Sequence, residues 1–261
     1  MAEITAAMVK ALRDETGLGM MECKKALTAS NGDAETAKDA LRAKGLATAE
    51  KRAHRDTSEG VVLINTAKGQ ATMVEVLCET DFCARNEEFQ AMAGDVADLA
   101  AQAAEGAIEA TDEINQRVAK TMSTIGENMS FSRGVKICAD NIGTYVHHNG
   151  KVGVIAGVQG DIDDETLTGL CMHIAFSDPL GITADDIPED LVEKEKQIAK
   201  QQAIESGKPE EIAEKMVAGK LRKYIASKAL IEQPYVRDDK KQVKDILGDA
   251  TIKAFARFAI N

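Results

Sequence analysis

The chain reads as a multidomain α+β protein: a three-helix amino-terminal unit, two duplicated α+β subdomains with antiparallel sheets, and a helical hairpin insertion. Three observations carry that reading. Glycines at 17, 32 and 45 divide the first 45 residues into short amphipathic patterns. A β-hairpin pattern followed by a helix occurs twice, first from Gly60 and again from Ile142. A stretch rich in Glu, Lys, Ala and Gln, residues 188–230, is cut in its middle by Gly207-Lys208-Pro209.

The amino-terminal patterns are "ITAAMVKALRDETG", "GMMECKKALTASNG" and "DAETAKDALRAKG". Each meets a glycine able to take the left-handed conformation that stops a helix, so Gly17, Gly32 and Gly45 are read as stops. Asp33 is placed to cap the third helix, where its carboxylate accepts orphan amide protons. Ile4, Val9, Leu12, Ala26, Leu27, Ala37 and Leu41 supply a small core. "ATAEKRAHRDTSEG" follows as a polar, partly helical linker, which puts the first boundary at 55.

From Gly60 the period changes from helical to alternating. "GVVLINTAKGQATMVEVLC" gives two strands joined at Ala67-Lys68-Gly69, and Asn86 caps the helix "NEEFQAMAGDVADLAAQAA" behind them. With the helix "DEINQRVAKTMSTIGE" this makes a subdomain over 56–139. The plan returns in "IGTYVHHNGKVGVIAGVQG", whose Asn149-Gly150 signals a type I′ turn, and in the helix "DDETLTGLCMHIAF". Two hairpin-then-helix units suggest internal duplication. The second unit takes 140–188 and 229–261, its last strand carrying Ile252, Ala254, Ala256 and Phe258 on one face. Residues 189–228 form the insertion, an antiparallel helix pair with Pro209 in a first turn. Leu191, Ile198 and Ala203 line one seam, and Ala213, Val217, Leu221 and Tyr224 the other.

Composition excludes several function classes. The formal charge of −11 argues against a surface built for a polyanion, although residues up to Arg55 carry +2 and the remainder −13. A nucleic-acid factor using the basic front end would show steep salt dependence, but that end has no stacking aromatics. Five cysteines, an odd number, make no disulfide framework, and Cys78 and Cys83 find no partner pair or spaced histidine for zinc. They are expected to be reduced and mostly buried. The amino terminus resembles neither a signal nor a transit peptide, and no stretch approaches the roughly 20 apolar residues of a membrane span. A soluble, cytoplasmic protein is expected.

Catalytic patterns are missing as well. Gly207-Lys208 is followed by Pro209, so no phosphate loop forms. Asp161 and Asp163 begin a calcium-like run, but Thr166 and Met172 stand where Gly and Glu belong. His147 and His148, adjacent in a strand, should point to opposite faces. No nucleophile, metal cage or cofactor site follows. Use of Cys78 or Cys83 as a reactive thiol would need a neighbouring base, and the sequence offers none.

What remains is surface suited to contact. Met20 and Met21 open the second helix, and two consecutive methionines do not both fit a small core. One core and one half-exposed side chain competes with an adaptable apolar patch bordered by Arg13. Phe82, in "EVLCETDFCARNEEF", follows Glu79, Thr80 and Asp81 at a strand end. It either tucks beneath the next helix beside Phe89 or stands out as a wedge.

Four stretches resemble the bacterial elongation factor Ts family in that family's order: "LRDETGLGMMECKKAL", "ETDFCARNEEF", "IGENM", and "SGKPEEIAEKMVAGKLRKY" with "QPYV". The resemblance implies a guanine-nucleotide exchange factor for elongation factor Tu, with a UBA-like three-helix domain and a coiled-coil hairpin. It implies a grip on the GTPase through Arg13, Met20 and Met21. Thr80, Asp81, Phe82 and Cys83 would act near the partner's magnesium ion, with Phe82 wedged between partner helices. Tyr145 and His147 would meet a more distal partner domain. Cys83 stands where the family usually has Val, and Arg133 is the one basic residue where the family often has two. No cofactor, direct nucleotide or direct nucleic acid contact is implied, and a hairpin able to pair with itself leaves room for a dimer of heterodimers.

Overall fold

A computed structural model describes residues 4–52, 54–205, 207 and 209–260. The first three helices are α1 (Ala6–Thr16), α2 (Met20–Ala29) and α3 (Ala34–Arg52). Thr5 caps α1 by accepting from the Met8 amide at 3.3 Å, and Gly17 ends it in the left-handed conformation, donating to the Arg13 carbonyl at 2.8 Å. Gly32 closes α2 on the Leu27 carbonyl, and Asp33 Oδ1 accepts from the Thr36 amide at 2.6 Å. Val9, Leu12, Cys23, Leu27, Ala37 and Leu41 form the core, with Ile4 and Ala26 at its margin.

Gly45 does not stop the third helix, which runs on to Arg52. A Cβ at Gly45 would lie 3.2 Å from Ser123 Cβ, so the missing side chain serves close helix packing rather than a left-handed cap.

The next elements are β1 (Glu59–Ala67), β2 (Gln70–Cys78), α4 (Asp81–Ala84), α5 (Glu87–Ala100), β3 (Gly106–Ile108), α6 (Asp112–Ile125) and β4 (Met129–Cys138). The strands form an antiparallel sheet in the order β1-β2-β4-β3. Neither β3 nor β4 was expected. In β4, Ser130, Ser132, Arg133 and Lys136 interrupt the apolar signal. Helices α5 and α6 cover one face of the sheet, burying Phe89, Met92, Val96, Ile114 and Val118 against Val74 and Val76.

A second antiparallel sheet joins β5 (Asn141–Val146), β6 (Val152–Gln159) and a strand from the carboxyl end, β9 (Thr251–Ala259), in that order. Between them the chain makes α7 (Asp164–Ser177), then α8 (Glu189–Glu205) and α9 (Glu210–Lys228), which fold back on each other. A small ribbon of β7 (Pro234–Tyr235) and β8 (Asp238–Gln242), then α10 (Val243–Leu247), precede β9. Pro209 is the residue before α9 rather than inside its first turn. Along α8 it is Ala199 and Ala203 that are buried, while Ile198 faces solvent. Ala203 thus lies in the seam as expected, while Ala199 takes the place expected for Ile198.

The two sheets pack face to face. Val62, Ala71, Met73 and Ile137 of the first meet Ile155 and Phe258 of the second. Gly153 makes this possible, since a Cβ there would fall 2.4 Å from Val62 Cγ1. Glu75 is buried in the same layer, accepting from Ser132 Oγ at 2.7 Å and from Arg133 Nη2 at 2.7 Å. The Arg133 guanidinium also lies 4.3 Å from the centre of the Phe258 ring. The register shift at Gly157/Val158 sends Ile252 to the α7 side, while Ala254, Ala256 and Phe258 face the first sheet. The single face expected for β9 is thereby split.

At the root of the α8–α9 pair, His173 of α7 is fully buried. Gln233 Nε2 donates to the Ser227 carbonyl at 2.7 Å, which turns its oxygen toward His173 Nε2 at 2.9 Å. The Val236 amide donates to His173 Nδ1 at 3.2 Å. With one ring nitrogen accepting, the imidazole is neutral, and burial holds its pKa below the usual histidine range.

Candidate partner-binding site

Strand β2 ends at Cys78, and the next residues turn the chain outward. Thr80 is extended and caps α4, its Oγ1 accepting from the Cys83 amide at 3.1 Å. In one helical turn Cys83 and Ala84 face the core, so Phe82 faces away and is 82% exposed. Phe89, just past the next cap at Asn86, is the buried aromatic of the pair. Burial beside Phe89 is thus excluded for Phe82, because the single turn already commits the residues after it to the interior.

Glu127, on the connection between α6 and β4, braces the turn. It accepts from the Thr80 amide at 3.1 Å and from Thr80 Oγ1 at 2.8 Å. Beside it, the Asn128 amide donates to Glu79 Oε1 at 2.5 Å, and Asn128 Nδ2 donates to the Arg55 carbonyl at 2.7 Å. Asp81 pairs with Arg85 at 3.2 Å on the surface. Sequence reading quoted this connection as a motif but assigned Glu127 and Asn128 no role. The available signal was a carboxylate and an amide directly after the helix stop at Gly126.

Cys83 is buried, with its thiol kept protonated. Its hydrogen bond with Cys78, then burial, then the charge of Glu127 push the thiol far up from its ordinary value. All five cysteines are free, and four of them are buried. Burial pushes Cys171 up to about 12.

Met20 and Met21 are 50% and 64% exposed, and Arg13 is exposed on the last turn of α1. Cys23 and Leu27 provide the core face of α2, which leaves both methionines to solvent. Among the described residues nothing joins these three directly to the Phe82 turn. The link runs through α6: a Cβ at Gly17 would lie 3.4 Å from Thr124 Cγ2, and Arg42 Nη2 donates to Gln116 Oε1 at 3.3 Å. A cavity of about 530 Å³ lies along this junction, with Leu18, Leu41 and Leu99 in its wall.

Tyr145 and His147 stand at the end of β5, Tyr145 Oη lying 2.7 Å from His147 Nδ1. His147 and His148 belong to the turn, not to a strand, and their ring centres are 4.3 Å apart. They therefore do not diverge as alternating strand residues would. The turn is also not type I′: only Gly150 has positive φ, and its amide donates to the His147 carbonyl at 2.8 Å. A groove of about 520 Å³ connects this turn with α4, bordered by Asp81, Arg85, Val146 and His148. The α4 turn and the 146–151 segment thus flank one groove, and neither Tyr145 nor His147 lines it. Among the described residues, no group of three or more His, Cys, Asp or Glu side chains converges for a metal ion. No helix among them is long and apolar enough to cross a membrane.

A family model described as Elongation factor TS matches residues 79–261 of this chain, beginning at the Phe82 motif. Elongation factor Ts of Actinobacillus succinogenes is 44% identical over 263 aligned positions, which cover 100% of this chain and 92% of that relative.

Proposed function

Because the chain belongs to the elongation factor Ts family, we propose that it is a cytoplasmic guanine-nucleotide exchange factor that binds elongation factor Tu and speeds GDP release so that GTP can bind during translation elongation. It acts through contact alone, forming no covalent bond and holding no cofactor. The observation that carries the mechanism is the exposed Phe82 on a capped and braced turn.

Removing a Phe side chain from water contributes roughly 1.5–3 kcal/mol. If Phe82 is accepted only by a partner conformation in which magnesium and phosphate ligands are displaced, that energy favours the displaced state. Asp81, at the head of the same turn, adds a carboxylate near the partner's magnesium region. Arg13, Met20 and Met21 supply the grip, and Tyr145 and His147 hold a distal partner domain. In this reading the chain divides into residues 1–55, 56–139, 140–188 with 229–261, and the 189–228 coiled coil. Linkage makes the effect mutual: nucleotide weakens the factor's hold by the same ratio by which the factor weakens nucleotide's. The factor therefore speeds exchange without selecting GDP over GTP.

The test is stopped-flow release of a fluorescent GDP from elongation factor Tu, chased with unlabelled GDP. Wild type is expected to accelerate release, and Phe82→Ala to blunt the acceleration while the complex still forms. No acceleration by wild type would refute the exchange reading. A Phe82→Ala factor as fast as wild type would move the work to Asp81 and the amino-terminal grip.

A further inference from the structure

We propose that Glu127 is the positioning residue for Phe82, and that the carboxyl end of α6 joins the amino-terminal grip to the wedge as one rigid element. This rests on the exchange-factor reading and names a residue for which that reading has no role. One carboxylate takes both Thr80 donors, and the same Thr80 oxygen accepts from the Cys83 amide. The Phe82 turn is thus fixed at its first residue by side-chain and backbone bonds together. Without Glu127, Thr80 can turn its hydroxyl to water, the cap loosens, and the outward direction of Phe82 is no longer held.

Glu127 follows α6 by one glycine, and the last turn of that helix lies under Gly17. Ser123, the residue before Thr124 in that same turn, lies under Gly45. Gly17 closes α1, which carries Arg13, and Gly45 lies in α3, against which α2 with Met20 and Met21 packs. A partner seated on that grip therefore meets Phe82 at a short, fixed offset, because only Ile125 and the stop at Gly126 separate Thr124 from Glu127. The same carboxylate is kept off the partner by its bonds to Thr80, so its effect is carried by Phe82.

The experiment measures release of fluorescent GDP against factor concentration, separating the plateau rate from the half-saturating concentration, for wild type, Phe82→Ala, Glu127→Ala, Glu127→Gln and the double variant. Glu127→Ala is expected to lower the plateau about tenfold with little change in half-saturation, the signature of a contact realised in the exchange step. Glu127→Gln, which keeps one acceptor oxygen, should fall between. The double variant should be no slower than Phe82→Ala, since both act through one side chain. In the free factor, amide exchange at Phe82 and Cys83 should quicken in Glu127→Ala.

If wild type accelerates release and Phe82→Ala blunts it, but Glu127→Ala keeps the wild-type plateau, the positioning role is overturned and the exchange reading stands. Additive loss in the double variant, or a change in half-saturation alone, overturns it too. If wild type does not accelerate release, the exchange reading falls and takes this role with it. Should Glu127→Ala fail to fold, Glu127→Gln and Thr80→Val carry the same comparison.

Discussion

The two hairpin-then-helix units follow one plan and diverge most tellingly in the connection from hairpin to helix. After β2 the chain inserts α4 before the capped helix α5, and Phe82 on that insert stands in solvent. After β6 it passes through Gly160 to the cap at Asp163 without an insert, and its apolar residue, Ile162, packs against the core. Caps, strands and buried helix faces do the same structural work in both. What differs is where one apolar side chain is sent, and that choice separates a contact surface from a closed loop.

The largest effect that could break this contrast is on stability. Phe89→Ala removes a fully buried ring and is expected to destabilise by about 3–5 kcal/mol. Phe82→Ala should stay within about 0.5 kcal/mol of wild type in the same urea titration. A substantial loss for Phe82→Ala would mean that the ring packs on the body and is no free wedge.

The caps sharpen the contrast at smaller scale. Thr80→Ala and Asp163→Ala each remove a hydrogen bond to an amide at a helix start and should each cost about 1 kcal/mol. Only Thr80→Ala should also slow nucleotide release, and equal slowing by Asp163→Ala would erase the distinction between the connections.

The smallest effect concerns pH and belongs to the second unit alone. The folded state holds His173 neutral with a lowered pKa, so the unfolded chain takes up the proton first as pH falls. The stabilisation is complete above the unfolded value of about 6.5 and declines as pH drops through it toward the folded value. Melting temperatures at about pH 7.5 and 5.5 should therefore differ less in His173→Gln than in wild type. An equal difference would assign the acid sensitivity to other groups.

Local chemistry made much of the fold legible. The caps Asp33 and Asn86 and the stop at Gly17 each depend on residues a few positions away, and they stand where the sequence puts them. The misreadings were of two kinds. Gly45 offers a stop, but the helix continues because a neighbour 78 positions later needs the space. Asn149-Gly150 has the composition of a type I′ turn, yet Asn149 keeps negative φ while its Oδ1 accepts from the Lys151 amide. The direction of Phe82 lay beyond local patterns, since it follows from which residues of α4 reach the core. The brace at Glu127 is 47 positions from Thr80, a separation that no periodicity reports.

The face-to-face seating of the two sheets reaches further than packing. Gly153 lets Val62 and Met73 press against bare backbone, and Gly157 does the same for Ile137. Layers in such close register have low compressibility. The two sheets are therefore expected to shift as one body, so that a displacement of the first is carried into the second.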